Sequence, residues 1–165
     1  MEECSINTKS CFFIVHRDTE ETIYPKLRAT VERHALECNV TEFIVGHYGN
    51  FDRLAAKAVM EVRKQYPQIT LLLLIPYHPA ERPMKTPEGY DGTFYPPDQE
   101  RVPRKLAIVR ANRYMIDHVD YLIAYAWHPG SNAKALIEYA EKQKHRIGIE
   151  NLSKRNKIDT VDKNQ

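Results

Sequence analysis

The stretch 42-EFIVGHYGNFDRLAAKAV-59 contains two sequence patterns that belong to different secondary structures. Its first four residues form a β-like run that stops at Gly46, and a helical pattern begins five residues later. Two of the chain's six glycines, Gly46 and Gly49, lie between the two patterns and allow a tight turn. The apolar residues of the helical part share one helix face, at Leu54, Ala55, Ala58, Val59 and Val62. The stretch therefore predicts a strand that turns sharply into a helix.

The same alternation of strand and helix continues along the rest of the chain. Apolar runs predict strands at 11–15, 41–45, 69–75 and 121–126, and a short one at 145–149. Helical spacing predicts helices at 22–38, from Val102 onwards, and at 131–144. This order predicts an α/β fold, a Rossmann-like three-layer sandwich with a mostly parallel sheet of about five strands and helices on both faces. We expect one domain over 1–150 and a polar, flexible tail over 151–165.

Composition and charge exclude few classes of function, but they are typical of a soluble globular protein. Hydrophobic residues make up 42% of the 165-residue chain and charged residues 28%, and the net charge of +2 is too small to indicate a polyanionic partner by itself. The three cysteines lack metal-like or disulfide-like spacing, which predicts reduced thiols and a cytoplasmic location. We expect no signal peptide and no membrane association, since the longest apolar run, 69–76, is too short to span a bilayer.

Residues 76–103, called the prolyl segment below, differ from the rest of the chain in holding seven of its ten prolines. Proline cannot donate to a β-ladder, so we expect no regular strand pairing in this segment. Its length is unusual for a connection, which predicts a functional flap or a surface excursion that could close over a binding site.

Chemically distinctive residues follow the predicted strands, and parallel strands end at one edge of a sheet, where ligands bind. These residues are His16-Arg17-Asp18, Gly46 to Asp52, Pro76-Tyr77-His78 and Trp127 to Asn132. The first amides of a helix attract anions, so the turns at Gly46–Asp52 and Gly130–Asn132 could hold a phosphate or a ribose. Ordinary turns capped by Asn50, and by Ser131 or Asn132, are the alternative.

Two cations, Arg104 and Lys105, lie near the start of the third predicted helix, where they oppose the helix dipole. Asp98 and Glu100 could offset them, or a bound phosphate could do so with Arg104 as a bidentate donor. The predicted ligand-binding residues are therefore His16, Arg17, Gly46, His47, Gly49, Asn50, Asp52, Arg104, Lys105, Gly130, Ser131 and Asn132.

Four histidines, His16, His47, His78 and His128, each follow a different predicted strand. Imidazoles gathered at one edge could bind zinc, but their spacing matches no zinc motif. We therefore predict no metal and no cofactor.

Three segments resemble the SLOG superfamily, and more narrowly its bacterial, uncharacterised YpsA-like members. They are CFFIVHRDTEETIYPKL at 11–27, FIVGHYGNFDRLAAKAVMEVRKQYP at 43–67 and RKLAIVRANRYMIDHVDYLIAYAWHPGSNAKALIEYA at 104–140. The resemblance covers about residues 10–145. It implies a Rossmann-like domain, a bacterial source and, by analogy with dimeric relatives, a homodimer in which Tyr114 and Tyr139 could lie at the interface.

The superfamily includes the Lonely-guy phosphoribohydrolases, whose motifs this chain matches in part. Arg104 and Lys105 match an Arg-Lys pair that opens a helix, and Pro129 to Ser131 match the start of a phosphate-binding turn. The position of the catalytic glutamate falls at Leu136, whereas Glu138 comes two residues later. The relatives often have glycines where this chain has Val15 and His47.

The resemblance therefore implies a protein that binds or senses a nucleotide-derived small molecule, and leaves enzymatic activity open. The first alternative is a phosphoribohydrolase or N-glycosidase acting on nucleoside monophosphates, with Asp52 and Glu138 as candidate catalytic carboxylates. The second alternative is single-stranded nucleic-acid binding, as in the related DNA-processing protein A, through Arg101, Arg104, Arg110, Arg113 and Tyr114.

Overall fold

Strands and helices alternate along most of the chain, as the sequence predicts. The structure, a computed structural model, describes residues 8–15, 20–46, 50–126 and 132–154. The strands are β1 (Lys9–Val15), β2 (Val40–Val45), β3 (Thr70–Leu74), β4 (Gly92–Phe94), β5 (Tyr121–Tyr125) and β6 (Gly148–Asn151). The helices are α1 (Tyr24–Glu37), α2 (Asn50–Arg63), α3 (Ala107–His118) and α4 (Asn132–Glu141).

The strands form one sheet in the order β4-β3-β2-β1-β5-β6, and every pairing is parallel. From β1 the chain adds strands in one direction as far as β4. It then returns across the sheet through α3 and adds β5 and β6 on the other side of β1. The order of strands therefore reverses between β1 and β5, where Val15 pairs with Tyr125.

The sheet is covered on both faces because its central strands are apolar on both sides. In β1, Cys11 and Phe13 face the layer of α1 and α2, whereas Phe12 and Ile14 face the layer of α3 and α4. Right-handed crossovers place helices on opposite faces when the chain reverses direction along a sheet. The three-layer α/β architecture predicted from the sequence is thus confirmed, with six strands.

The prolyl segment does contain a strand, so the prediction that it would lack strand pairing was wrong. The prolines flank β4 without entering it, and its three residues pair with Leu72, Leu73 and Leu74 of β3. Hydrogen bonds continue the pairing at both ends, from Asp91 N to Leu71 O at 2.8 Å and from Ile75 N to Phe94 O at 2.9 Å.

Three predicted element boundaries differ from the structure by three residues or more, one of them the end of α4, which lies at Glu141 rather than at residue 144. The last strand begins at Gly148 rather than at residue 145, because residues up to Ile147 continue turning after α4. The helix expected from Val102 begins at Ala107, after a separate 3-10 turn at Arg104–Leu106. Among the described helices, none combines the length and the apolar character that crossing a membrane requires.

Gly89 precedes β4 in a conformation that other residues rarely adopt. Its φ is +94°, and a Cβ at this position would lie 2.5 Å from Met60 Cε. We predict that Gly89→Ala lowers the free energy of unfolding by about 1–2 kcal/mol, chiefly because of the positive φ. Urea denaturation measures this loss.

Gly92→Ala is the matched control, since its Cβ would make an ordinary contact at 3.6 Å from Leu72 Cδ2. We expect this second substitution to change the free energy of unfolding by less than about 0.5 kcal/mol. Equal losses in both variants would contradict the role given to the φ of Gly89.

Burial of His34 in α1 predicts that the stability of the fold depends on pH. Burial lowers the pKa of His34 below its usual value, and its Nδ1 donates to the Thr30 carbonyl oxygen at 2.8 Å. The folded state therefore favours the neutral ring, whereas an unfolded histidine titrates at about pH 6.5. The unfolded chain binds more protons between these two pKa values, so stability is full above about pH 6.5 and falls as the pH drops through the folded pKa.

We predict that His34→Gln reduces the loss of stability between pH 7.5 and 5.5, measured by urea denaturation at both pH values. The exposed His145→Gln should retain the dependence of the wild type. An unchanged slope in the His34 variant would show that another group causes the dependence.

Candidate functional site

The carboxyl edge of the sheet is the place to seek a site, because ligands of open α/β sheets bind there, where the strand order reverses. Here the reversal lies between the ends of β1 and β5. The residues that follow β1, β2 and β5 in the chain, 16–19, 47–49 and 127–131, lie outside the described residues. Six predicted ligand-binding residues are among them: His16, Arg17, His47, Gly49, Gly130 and Ser131.

Gly46 and Asp52 meet where β2 passes into α2. Gly46 follows the last residue of β2, and Asp52 lies in the first turn of α2, which begins at Asn50. A Cβ at position 46 would lie 3.4 Å from Asp52 Oδ2, so the carboxylate packs against the Gly46 backbone. Gly46 does not take the left-handed conformation. The glycine therefore gives the carboxylate room beside the strand end.

The Asp52 carboxylate decides what this turn can bind. A negative charge in the first turn of a helix already satisfies the preference of the helix dipole. A second anion would be repelled, whereas a hydroxyl group could donate to the carboxylate oxygens. Of the two ligands predicted for this turn, a ribose therefore fits its charge better than a phosphate does.

Tyr90 is a neighbour of Asp52 that the sequence did not indicate. Burial raises the pKa of Tyr90, and the charge of Asp52 raises it further. Tyr90 packs against the core cluster that includes Leu54 and Ala55 of α2. It comes from the segment before β4, which thus reaches the helix that carries Asp52.

Arg104 and Lys105 lie in the 3-10 turn that leads into α3, and both are exposed. Arg104 Nη1 lies 3.6 Å from Glu81 Oε1, and the Arg104 guanidinium lies over the Tyr77 ring, 5.6 Å from its centroid. Its acidic partner is thus Glu81, not Asp98 or Glu100, the two residues that the sequence suggested. These contacts place Arg104 beyond the end of β3, the strand next to the one that carries Gly46.

An open groove of about 660 Å³ lies beside Arg104, past the ends of β3 and β4. Its lining comes from His78, Glu81, Tyr95, Pro96, Pro97, Asp98 and Glu100. The rings of His78 and Tyr95 meet edge to face, with centroids 5.2 Å apart. Three of the seven lining side chains are acidic, so the groove itself repels anions.

Gln99 joins the wall of the groove formed by residues 96–100 to α3. It is buried, and its Nε2 donates to the Ala107 carbonyl oxygen at 2.6 Å. Arg110 Nη1 donates to Gln99 Oε1 at 3.1 Å and to the Pro97 carbonyl oxygen at 2.9 Å. This part of the prolyl segment is tied to the helix by side-chain hydrogen bonds.

The predicted residues of α4 do not join those of α2. Asn132 is the exposed first residue of α4, and Glu138 is exposed further along the same helix. Leu136, the position that the resemblance gives to a catalytic glutamate, is buried in the core under α3 and α4. Since α2 covers the other face of the sheet, Asp52 and Glu138 lie on opposite sides and cannot act as a pair.

The basic and aromatic residues suggested for nucleic-acid binding or dimer contact make contacts within the chain. Arg113 lies over the Tyr139 ring at 5.0 Å, and Tyr139 donates to an Asp117 carboxylate oxygen at 2.8 Å. The Tyr114 ring stacks on His118 with centroids 3.9 Å apart. Within the described ranges, no group of three or more His, Cys, Asp or Glu side chains could hold a metal ion.

Comparison of the sequence with models of known protein families gave no match, and comparison with curated proteins gave no significant match. The resemblance to the SLOG superfamily therefore stays a prediction that rests on the quoted motifs. The fold described above is consistent with it but is shared by many unrelated proteins.

Proposed function

We propose that this chain binds a nucleotide-derived small molecule at the carboxyl edge of its sheet. The observation that carries the proposal is the reversal of strand order between β1 and β5, with Val15 and Tyr125 side by side. Adjacent connections lead away from such a point to opposite faces of the sheet, which leaves a crevice.

Two described side chains near the ends of β2 and β3, on the same edge of the sheet, suit the two halves of a nucleotide. Asp52, packed against Gly46, supplies carboxylate oxygens that accept hydrogen bonds from ribose hydroxyls. Arg104, beyond β3, supplies a planar guanidinium that can bind a phosphate through two parallel hydrogen bonds. Neighbouring strands are about 4.8 Å apart, so the ends of β1, β2 and β3 extend over about 10 Å, the scale of a nucleoside monophosphate.

Binding without hydrolysis is the form of the proposal that the described residues favour. Cleavage of an N-glycosidic bond needs a positioned acid, base or nucleophile near the ribose. The position implied for a glutamate is the buried Leu136, and Glu138 lies across the sheet from Asp52. Asp52 is thus the one carboxylate of the proposed pair that lies beside the strand ends.

We predict that a thermal-shift panel of nucleotides, sugar phosphates and NAD derivatives contains at least one stabilising ligand. A ligand at about 100 times its dissociation constant adds about 2.7 kcal/mol, or roughly 5–10 °C for a chain of this size. Arg104→Ala should weaken binding about 10- to 100-fold, because it removes charge-assisted hydrogen bonds to the phosphate.

Arg113→Ala is the matched control, since it removes the same charge from an exposed arginine of α3 that lies over the ring of Tyr139 in α4. It should bind the ligand as the wild type does. Chromatography of each sample tests for released base, and release would make the protein an N-glycosidase despite Leu136. Absence of any saturable binding across the panel would contradict the proposal.

A further inference from the structure

Arg104, the cation proposed to receive the phosphate, already has an acidic partner within the chain. Its Nη1 lies 3.6 Å from Glu81 Oε1, and both side chains are 57% exposed. This distance exceeds that of a hydrogen bond, so the two groups form a loose ion pair at the surface. A loose pair of this kind can open and re-form without disturbing the core.

Glu81 is held near Arg104 by an ordered turn that follows β3. The His78 carbonyl oxygen accepts hydrogen bonds from the backbone amides of Glu81 and Arg82, both at 2.9 Å. His78 Nδ1 accepts a third hydrogen bond, from the Ala80 amide, also at 2.9 Å. The backbone position of Glu81 is thus fixed independently of its ion pair with Arg104.

The Arg104 guanidinium also lies over an aromatic ring. It lies over Tyr77, and Arg82 lies over the same ring with its guanidinium carbon 4.4 Å from the centroid. An arginine held in this way presents its donors in a limited range of directions. Glu81 and an incoming phosphate would therefore compete for the same guanidinium.

We propose that Glu81 acts as a built-in competitor of the anionic ligand, occupying Arg104 until a phosphate displaces it. The proposal rests on the function proposed above and adds a regulation of the same site. Because Glu81 Oε1 lies 3.6 Å from Arg104 Nη1, a phosphate that binds this guanidinium comes close to the Glu81 carboxylate, which also lines the acidic groove. The ion pair between Arg104 and Glu81 makes the site selective for ligands whose phosphate binds Arg104 more strongly than Glu81 does.

A double-mutant cycle with adenosine monophosphate as the probe tests the proposal by isothermal titration calorimetry. Exposed ion pairs contribute about 0.2–1 kcal/mol, so Glu81→Gln should bind the probe about 1.4- to 5-fold more tightly than the wild type. In the Arg104→Ala background the same substitution should have no effect on affinity, because the guanidinium for which Glu81 and the phosphate compete is absent. Glu88→Gln, an exposed acid on the same segment, is the matched control and should bind as the wild type does.

Three outcomes would overturn the proposal. The first is a Glu81→Gln affinity equal to that of Glu88→Gln, including no binding by either. The second is an equal gain in the Arg104→Ala background, which would show that Glu81 acts through the general field of the groove. The third is weaker binding by Glu81→Gln. Wild-type binding that needs Arg104 but ignores Glu81 would overturn this inference and leave the proposed function standing, whereas failure of the entire ligand panel would overturn both.

Discussion

Parallel pairing of β1 with β5 joins parts of the chain that are far apart in sequence. At the start of the two strands, the Ser10 amide donates to an Asp120 carboxylate oxygen at 3.0 Å across 110 positions, and at their ends Val15 lies beside Tyr125. A parallel pair of this kind needs a long return connection, which α3 provides on the face opposite α1 and α2. The reversal of strand order and the two helix layers both follow from it, and the reversal is the reason for proposing a ligand at the carboxyl edge.

The layered fold could be predicted because the apolar patterns that mark its strands and helices are local and recur along the sequence. β1 and β3 are apolar on both faces, which marks buried parallel strands, and the helices bury residues at helical spacing. β4 escaped prediction because Gly92, Thr93 and Phe94 form no apolar run. Only its pairing with β3, a contact at long range, makes these residues a strand.

Only the part of the candidate site whose residues are close in sequence could be predicted. Gly46 and Asp52 lie six positions apart on a strand-to-helix turn, so reasoning from local patterns could associate them. Glu81 and Arg104 belong to the irregular flanks of the prolyl segment, where no periodicity relates distant residues. Glu81 and Tyr90 were therefore missed, whereas Tyr77 had been named with Pro76 and His78 among the residues that follow β3. The surface beyond the ends of β3 and β4 thus has two parts of opposite charge: Arg104, which attracts anions, and the acidic groove, which repels them.

The location of the ligand is the central claim, and amide chemical-shift mapping with adenosine monophosphate tests it most directly. A 19.3 kDa chain is small enough for this measurement. Binding at the carboxyl edge predicts the largest shifts at Val15, Gly46 and Ala126, where β1, β2 and β5 end. It predicts no change at the opposite edge, at Lys9, Val40 and Gly148, where β1, β2 and β6 begin. Shifts confined to the amino edge, or to the groove at Tyr95 and Asp98, would contradict it.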